Sequence, residues 1–214
     1  MVAGTRVHNA DCSIADELTR AEIESRRQIG AMCDILRSHY TGGETLSLIQ
    51  VPSYIGIRET RHTKCLHSLT EKEVLEGKRF HDSIANGSYR IDIHYSQQAG
   101  LTFRYLDGRE IYVEPGKPDV IKRWREPLAE DPTFYQIPYR SLVPEGSKNV
   151  LVAGRLIGVD RGAYGAIRVM VNCNQTGEAA GVACALAFDA KVDVDRVNSD
   201  TLRETLKREG SIII

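Results

Sequence analysis

The chain has 214 residues, of which 42% are hydrophobic and 27% charged, and its formal net charge is −1. A chain of this size can bury a core as one large domain or two small ones. The near-neutral charge and the absence of basic blocks argue against nucleic acid as a main partner. No apolar run approaches the ~20 residues that a bilayer-spanning helix needs, so no membrane segment is expected.

The five cysteines are scattered, odd in number and without a Cys-x-x-Cys pair. This usage is typical of reduced thiols in the cytoplasm rather than of a disulfide framework or a zinc site. The first six residues contain no apolar core of a secretory signal. We therefore expect a cytoplasmic protein without a metal site.

The first predicted element is a long amphipathic helix over residues 13–39. Its apolar positions predict a buried stripe of six side chains: Ile14, Leu18, Ile29, Met32, Ile35 and Leu36. Thr19 and Glu22 have the spacing of a capping box, which predicts a break or a restart of the helix there. Two strands are predicted to follow, over residues 46–51 and residues 54–60.

The middle of the chain predicts a short helix followed by strands. Residues 70–73 read Thr-Glu-Lys-Glu, a capping box that opens the short helix. Residues 89–95 alternate as a strand. Residues 101–105 and 110–113 flank Asp107-Gly108, which is a strong signal for a β-hairpin.

Residues 149–187 are the most informative part of the sequence. They predict an apolar strand at Val150 that stops at Gly154-Arg155, and then a helix that opens with small residues at positions 176–181. Small residues at a helix start let a flat or anionic ligand approach the free backbone N–H groups. Close packing of the helix against the strand is the alternative explanation for the same residues.

Several motifs, in the same order along the chain, resemble the FAD-dependent oxidoreductase family that is distantly related to fumarate reductase flavoproteins. The motifs are Ile55-Gly56-Ile57-Arg58-Glu59-Thr60-Arg61, Leu69-Thr70-Glu71, Ile91-Asp92-Ile93-His94, Ile137-Pro138-Tyr139-Arg140-Ser141-Leu142-Val143-Pro144, Ala153-Gly154-Arg155, Arg168-Val169-Met170 and Gly177-Glu178-Ala179-Ala180-Gly181. The family's nucleotide fingerprint, Gly-x-Gly-x-x-Gly, occurs nowhere in the chain. The resemblance therefore implies the C-terminal part of a longer flavoprotein, or a natural short form of one.

The resemblance also implies an α/β fold with two domains. An incomplete Rossmann-like FAD-binding domain is expected at residues 146–214, and a mixed-sheet substrate (cap) domain at residues 1–145. Residues 97–133 interrupt the spacing usual in the family and are interpreted as an insertion. Within them, the proline-rich residues 114–132 predict a loop.

The resemblance places FAD against the loop and the helix start of residues 149–187. It implies cofactor contacts from seven residues: Gly154, Arg155, Gly177, Glu178, Ala179, Ala180 and Gly181. Backbone N–H groups there can stabilise negative charge that develops on the flavin. Glu178 has an alternative role, because its carboxylate can simply complement the helix N-terminus.

Three further side chains are candidate catalytic or substrate-anchoring groups: His94, Arg58 and Arg168. An arginine can hold a carboxylate bidentately, which favours an anionic substrate. Asp92 and His94 share one face of the predicted strand, so the carboxylate can orient the imidazole as a general acid–base or an anchor. An ordinary structural role is the alternative for each of these residues.

By resemblance, we predict an oxidoreductase that transfers hydride between FAD and a small organic substrate. The alternative is a non-catalytic fragment or accessory subunit that keeps the fold but does not bind FAD alone. The expected partners are the substrate, an N-terminal FAD-binding half or second subunit, and further copies of this chain in a homo-oligomer.

Overall fold

The computed structural model describes residues 5–95 and 99–214. The first four residues, where a signal sequence was not expected, and Gln97 and Gln98, where the predicted insertion begins, lie outside the described residues. The chain divides into two compact units, Met1–Arg61 and His62–Ile214. The boundary that the sequence places between residues 145 and 146 stays a prediction.

The first unit contains helix α1, Ala15–His39, close to the predicted bounds. The predicted break at Thr19 is wrong, because the Thr19 hydroxyl donates to the Ala15 carbonyl oxygen at 2.9 Å and so bonds within the helix. The buried residues of α1 are the small Ala21 and Cys33. The large residues of the predicted stripe are half-buried or exposed, with Ile14 and Ile35 the exposed ones.

The two strands predicted after α1 are wrong, because residues 46–60 belong to no sheet. Side chains of α1 hold the segment instead. The backbone N–H of Ile55 donates to Glu22 Oε1 at 2.7 Å, and Arg37 Nε donates to the Leu46 carbonyl oxygen at 3.0 Å. No described strand lies beside the segment to complete a ladder.

The second unit is a mixed α/β structure with two antiparallel sheets. Its elements are α2 (Glu71–Leu75), β1 (Ser83–Gly87), β2 (Ile91–His94), β3 (Leu101–Arg104), β4 (Arg109–Val113), β5 (Val120–Arg123), β6 (Tyr135–Pro138), α3 (Arg161–Ile167), α4 (Met170–Ala190) and α5 (Ser199–Arg208). One sheet pairs β1 with β6, and the other has the order β2-β3-β4-β5. Across residues 5–95 and 99–214, no helix combines the length and apolar character needed to cross a membrane.

The capping box that opens α2 is confirmed. The Thr70 hydroxyl accepts from the Glu73 N–H, and Glu73 Oε2 accepts from the Thr70 N–H at 2.9 Å. Partial burial raises the pKa of Glu73, but hydrogen bonds from Lys78 and Thr70 outweigh it and lower the pKa to about 2. The carboxylate therefore stays charged at the start of α2, where the helix dipole favours it.

The hairpin at Asp107-Gly108 is also confirmed, since β3 and β4 pair antiparallel and Gly108 has a φ of 85°. The predicted loop at residues 114–132 is wrong in one part, because it contains β5, which pairs with β4. All four residues of β5 are exposed, and prolines lie on both sides of it. A short exposed edge strand of this kind gives no alternation of buried and polar residues to detect.

The strand predicted at Val150 is wrong, because residues 150–153 belong to no sheet and the Val152 N–H bonds to the Leu142 carbonyl oxygen alone. The helix start predicted at Gly177 is also wrong, since α4 begins at Met170. Asn172 and Thr176 explain why α4 begins earlier than predicted. The Asn172 amide donates to the Tyr135 hydroxyl, and the Thr176 hydroxyl donates to carbonyl oxygens one turn back, so both fit inside the helix.

The core of the second unit lies between β1, β6, α3 and α4. Large side chains of β1 and β6 pack against alanines of the two helices: Ile84, Tyr135, Ile137, Ala163, Ala166, Ala179 and Ala183. The small residues of α3 and α4 therefore let the helices approach the sheet closely.

Candidate functional site

Helix α3 packs onto β2 at a glycine. A Cβ atom on Gly165 would lie 2.7 Å from the Asp92 carbonyl oxygen and 2.9 Å from the Asp92 nitrogen. The start of α3 is fixed by Asp160, whose Oδ1 accepts from the Ala163 N–H and whose Oδ2 accepts from the Glu71 N–H, both at 2.8 Å. One carboxylate thus caps α3 and also holds the first residue of α2.

This packing brings Arg168 to Asp92. Arg168 follows Gly165 by three positions, so the two residues lie on the same face at the end of α3. Arg168 Nη2 is 2.8 Å from Asp92 Oδ2, and His94 Nε2 is 2.9 Å from Asp92 Oδ1. The carboxylate therefore lies between a guanidinium and an imidazole.

All three side chains are largely buried, with 12% of Asp92, 14% of Arg168 and 19% of His94 exposed. Although His94 Nε2 is close to Asp92 Oδ1, the alignment does not satisfy hydrogen-bond geometry, and this buried oxygen has no hydrogen-bond partner among the described residues. The arrangement holds the positive charge of Arg168 on one oxygen of Asp92 and an imidazole beside the other oxygen.

The predicted flavin loop lies against the beginning of α4. Gly154 has a φ of 64°, and its N–H donates to the Thr176 hydroxyl at 3.0 Å. A Cβ on Gly154 would be in ordinary contact with Cys173. Burial raises the pKa of the Cys173 thiol, while the nearby positive charge of Arg155 opposes the rise. Gly154 and Arg155 are thus both close to the first turns of α4.

The N-terminus of α4 is open. Its N-cap residue, Val169, makes no side-chain capping hydrogen bond, and the next two residues, Met170 and Val171, are 82% and 68% exposed. The first N–H groups of a helix have no partner within the helix and carry the positive end of its dipole. Arg168 precedes this turn directly.

The other predicted cofactor residues lie in the body of α4. Gly177, Glu178 and Gly181 are exposed, Ala180 is half-buried, and Ala179 is fully buried in the core. A Cβ on Gly177 or Gly181 would meet no atom within 4 Å. Glu178 accepts from the Ser211 hydroxyl at 2.8 Å. The sequence therefore placed the helix opening two turns too late, and Ala179 faces the core.

Arg58 lies in the first unit, in the segment after α1, and is exposed. His94 and Arg168 belong to the second unit. Its role as a substrate anchor stays a prediction.

Sequence reasoning missed the ion pair between Arg168 and Asp92, which are 76 positions apart. A signal for it exists in the small residues of α3, Arg-Gly-Ala-Tyr-Gly-Ala-Ile, because glycines one turn apart predict close contact with another backbone. Sequence reasoning also missed a groove of about 390 Å³ at the other end of α3, lined by Thr70, Glu71, Lys72, Leu75, Glu76, Trp124 and Asp160. Within the described ranges, no group of His, Cys, Asp and Glu side chains could hold a metal ion.

A family model described as FAD dependent oxidoreductase matches residues 2–206. Neither a search of curated proteins nor a search of solved structures finds a match.

Proposed function

Because the chain belongs to the FAD-dependent oxidoreductase family, we propose that it is the C-terminal part of a flavin enzyme that oxidises or reduces a small organic molecule. The cofactor of the family is FAD. The fumarate-reductase kinship and the Rossmann-like character of residues 146–214 belong to this proposal, as does the substrate domain at residues 1–145.

The residues present fit the flavin ring but not the nucleotide. The open first turn of α4, together with Gly154 and Arg155, offers backbone N–H groups and a positive charge on an exposed surface. Such groups suit the polar edge of the ring. The Gly-x-Gly-x-x-Gly turn that cradles pyrophosphate is not in the sequence. We propose that another segment or chain supplies it.

Bound FAD supplies the capacity to accept or donate a hydride. The N–H groups at the start of α4 and the Arg155 guanidinium would stabilise negative charge there. The His94 imidazole, whose Nε2 is 2.9 Å from Asp92 Oδ1, would give a proton to the substrate or take one from it. Arg168 is oriented by Asp92 through one nitrogen, and its guanidinium would attract a substrate carboxylate.

The observation that carries this proposal is the Asp92 carboxylate between His94 and Arg168 in a chain of this family. The same geometry is compatible with hydride transfer to or from an anionic substrate.

The first test is FAD binding. The chain alone should bind FAD weakly, and co-expression with a polypeptide that carries Gly-x-Gly-x-x-Gly should give a yellow complex. Calorimetric titration and flavin absorbance measure the two results. Tight, stoichiometric binding of FAD to the monomeric chain would contradict the missing-half proposal.

The second part of the test uses the loaded complex. His94→Ala should retain the flavin but slow its reduction by small carboxylate substrates by about 100-fold or more, as for loss of a general acid–base. Replacement of the exposed His81 by Ala is the matched control and should have no effect. Normal reduction in His94→Ala would return the Asp92–His94 pair to a structural role.

A non-catalytic accessory subunit is the second candidate. One face of α4 favours it, because Met170, Gly177, Gly181 and Phe188 are all exposed along the helix. Exposed apolar surface of this kind is typical of a face that another chain covers. This candidate would be supported by a partner protein that binds the chain but that has the same FAD content and the same turnover when the chain is removed. Cytoplasmic location and the homo-oligomer remain predictions.

A further inference from the structure

Arg90 comes directly before β2 and is half-buried without a counter-ion. The other half-buried arginines of the second unit all donate to oxygen atoms of the protein: Arg104, Arg125, Arg140, Arg168 and Arg203. Among residues 5–95 and 99–214, by contrast, Arg90 forms no ion pair, and its buried Nε has no hydrogen-bond partner. A guanidinium that is partly withdrawn from water and has no counter-ion is unfavourable, so a bound anion would stabilise it.

Three aromatic rings surround the Arg90 guanidinium. Its central carbon, Cζ, is 4.0 Å from the ring centre of Phe103, 5.3 Å from that of Tyr89 and 5.7 Å from that of Tyr105. A ring face attracts a positive charge but supplies no oxygen that can accept a hydrogen bond. The rings therefore hold Arg90 in position and leave its N–H groups without acceptors.

The two terminal nitrogens of Arg90, Nη1 and Nη2, form the open edge of the guanidinium. Neither of them donates to a residue that the structure describes, and both, unlike Nε, keep contact with solvent. An arginine can hold a carboxylate through two parallel N–H···O hydrogen bonds. The terminal nitrogens offer the pair of donors that this contact needs.

Arg90 lies on the same side of the sheet as Asp92 and His94. Phe103 of β3 is paired directly with Asp92, and directly opposite residues of antiparallel strands project from the same face. The position of the Arg90 guanidinium over Phe103 therefore places it on the face of Asp92. The two-residue period of β2 puts His94 on that face as well.

This face carries more positive than negative charge. Arg90 and Arg168 are both cations, and the carboxylate of Asp92 is already 2.8 Å from Arg168 Nη2. Arg109, whose Cζ is 5.0 Å from the Tyr105 ring centre, is paired with Asp107 at 2.7 Å. The charge of Arg90 is therefore the one that no carboxylate among the described residues compensates.

We propose that Arg90 binds the carboxylate group of a small organic molecule on the face of β2 that bears Asp92 and His94. The identification of this molecule as the substrate rests on the proposed function, whereas the binding of the carboxylate does not. Arg90 holds the anionic group, and Arg168 adds its attraction while Asp92 keeps it in place.

The test uses the full chain without flavin, with propionate as the probe. In heteronuclear NMR spectra, the Nε–H signal of Arg90 is identified by its loss in Arg90→Gln, and it should shift saturably as propionate is added. Propionamide has nearly the same shape without the charge and should cause no shift at the same concentration. An Arg90 signal that responds to neither compound, or equally to both, would overturn the proposal.

Arg109→Gln is the matched control, because Arg109 also lies near the Tyr105 ring but has a counter-ion. This variant should bind propionate as the native chain does, and Arg90→Gln should lose saturable binding, as measured on the backbone amide signals of β2. Equal losses in the two variants would mean that propionate responds to general positive charge, which contradicts a site at Arg90. If Arg90→Gln does not fold, Arg90→Lys identifies the same signal, because it keeps a cation beside the rings but lacks the paired donors.

The outcome for Arg90 can be distinguished from that for the flavin chemistry. No propionate response at Arg90, together with slow flavin reduction in His94→Ala, would overturn the carboxylate site alone. A propionate response at Arg90 in a chain that forms no flavin complex would support the site and contradict the proposed function.

Discussion

At the scale of single residues, Gly165 decides whether the Asp92 cluster forms. In a helix, alanine is normally more stable than glycine by about 0.5–1 kcal/mol. At this position, however, a Cβ would lie 2.7 Å from a backbone oxygen of β2, which cannot rotate away as a side chain can. The close contact therefore outweighs the helix preference.

We expect Gly165→Ala to lower the free energy of unfolding by about 1–3 kcal/mol, the usual range for overpacking. The matched control is Gly177→Ala in α4, where a Cβ meets open space. It should raise the same free energy by about 0.5–1 kcal/mol. Urea denaturation measures both, and equal effects of the two substitutions would show that α3 is not held against β2 as described.

At the scale of elements, the start of α4 changes the interpretation of the flavin-side motif. The sequence assigned the ligand-facing N–H groups to Gly177, but the structure begins the helix at Met170. Asn172 and Thr176 favour helix caps and turns in isolation, because their side chains compete for backbone groups. Here the fold supplies partners for both inside the helix, so the open turn lies seven positions earlier.

Because α4 begins at Met170, we expect Val171→Asp to raise the stability of α4 and to lower the flavin content of the complex. A carboxylate in the first turn of a helix stabilises it by about 0.3–1 kcal/mol, so α4 should become more stable. The same charge repels the negatively polarised edge of the flavin, so the complex with the FAD-binding half should retain less flavin. Thermal melts and flavin absorbance give the two readings.

The control for this prediction is Ala185→Asp, which adds the same charge at an exposed position far along α4. It should leave flavin content unchanged. If Val171→Asp retains as much flavin as the control, the first turn of α4 does not contact the cofactor.

The sequence correctly predicted structures that depend only on residues close together in the chain. The capping box at Thr70 and the Asp107-Gly108 hairpin are each complete within a few residues, and both are present. The ion pair between Arg168 and Asp92 depends on how α3 packs against β2, and no short window of sequence contains that information. The apolar run at Val150 has the composition of a strand but lacks a neighbouring strand to pair with.

At the scale of the whole molecule, the two units differ in how much they bury. The hydrophobic core cluster belongs to the second unit, where six of the seven residues of α3 are buried. In α1, by contrast, two of 25 residues are buried. Local opening is easier where few apolar contacts must be broken.

Hydrogen exchange should therefore separate the units in the intact chain. We expect the backbone amides of α1 to exchange well before those of α3 and the buried face of α4, and mass spectrometry of peptic fragments measures the difference. Similar protection in α1 and α3 would mean that α1 is covered by another surface in solution.

The hydrogen bond from Glu71 to the Asp160 carboxylate closes a long loop of the chain, and the entropic cost of closing it depends on the length of that loop. By accepting from the Glu71 N–H, the carboxylate joins two points that are 89 residues apart, without a covalent link. The entropy of closing such a loop grows only with the logarithm of its length, by about 0.6 kcal/mol for each doubling. Residues 97–133, interpreted as an insertion, make up less than half of this loop, so adding them costs less than one doubling. A longer or shorter segment between β2 and β6 would therefore change the cost of forming the hydrogen bond between Asp160 and Glu71 only slightly.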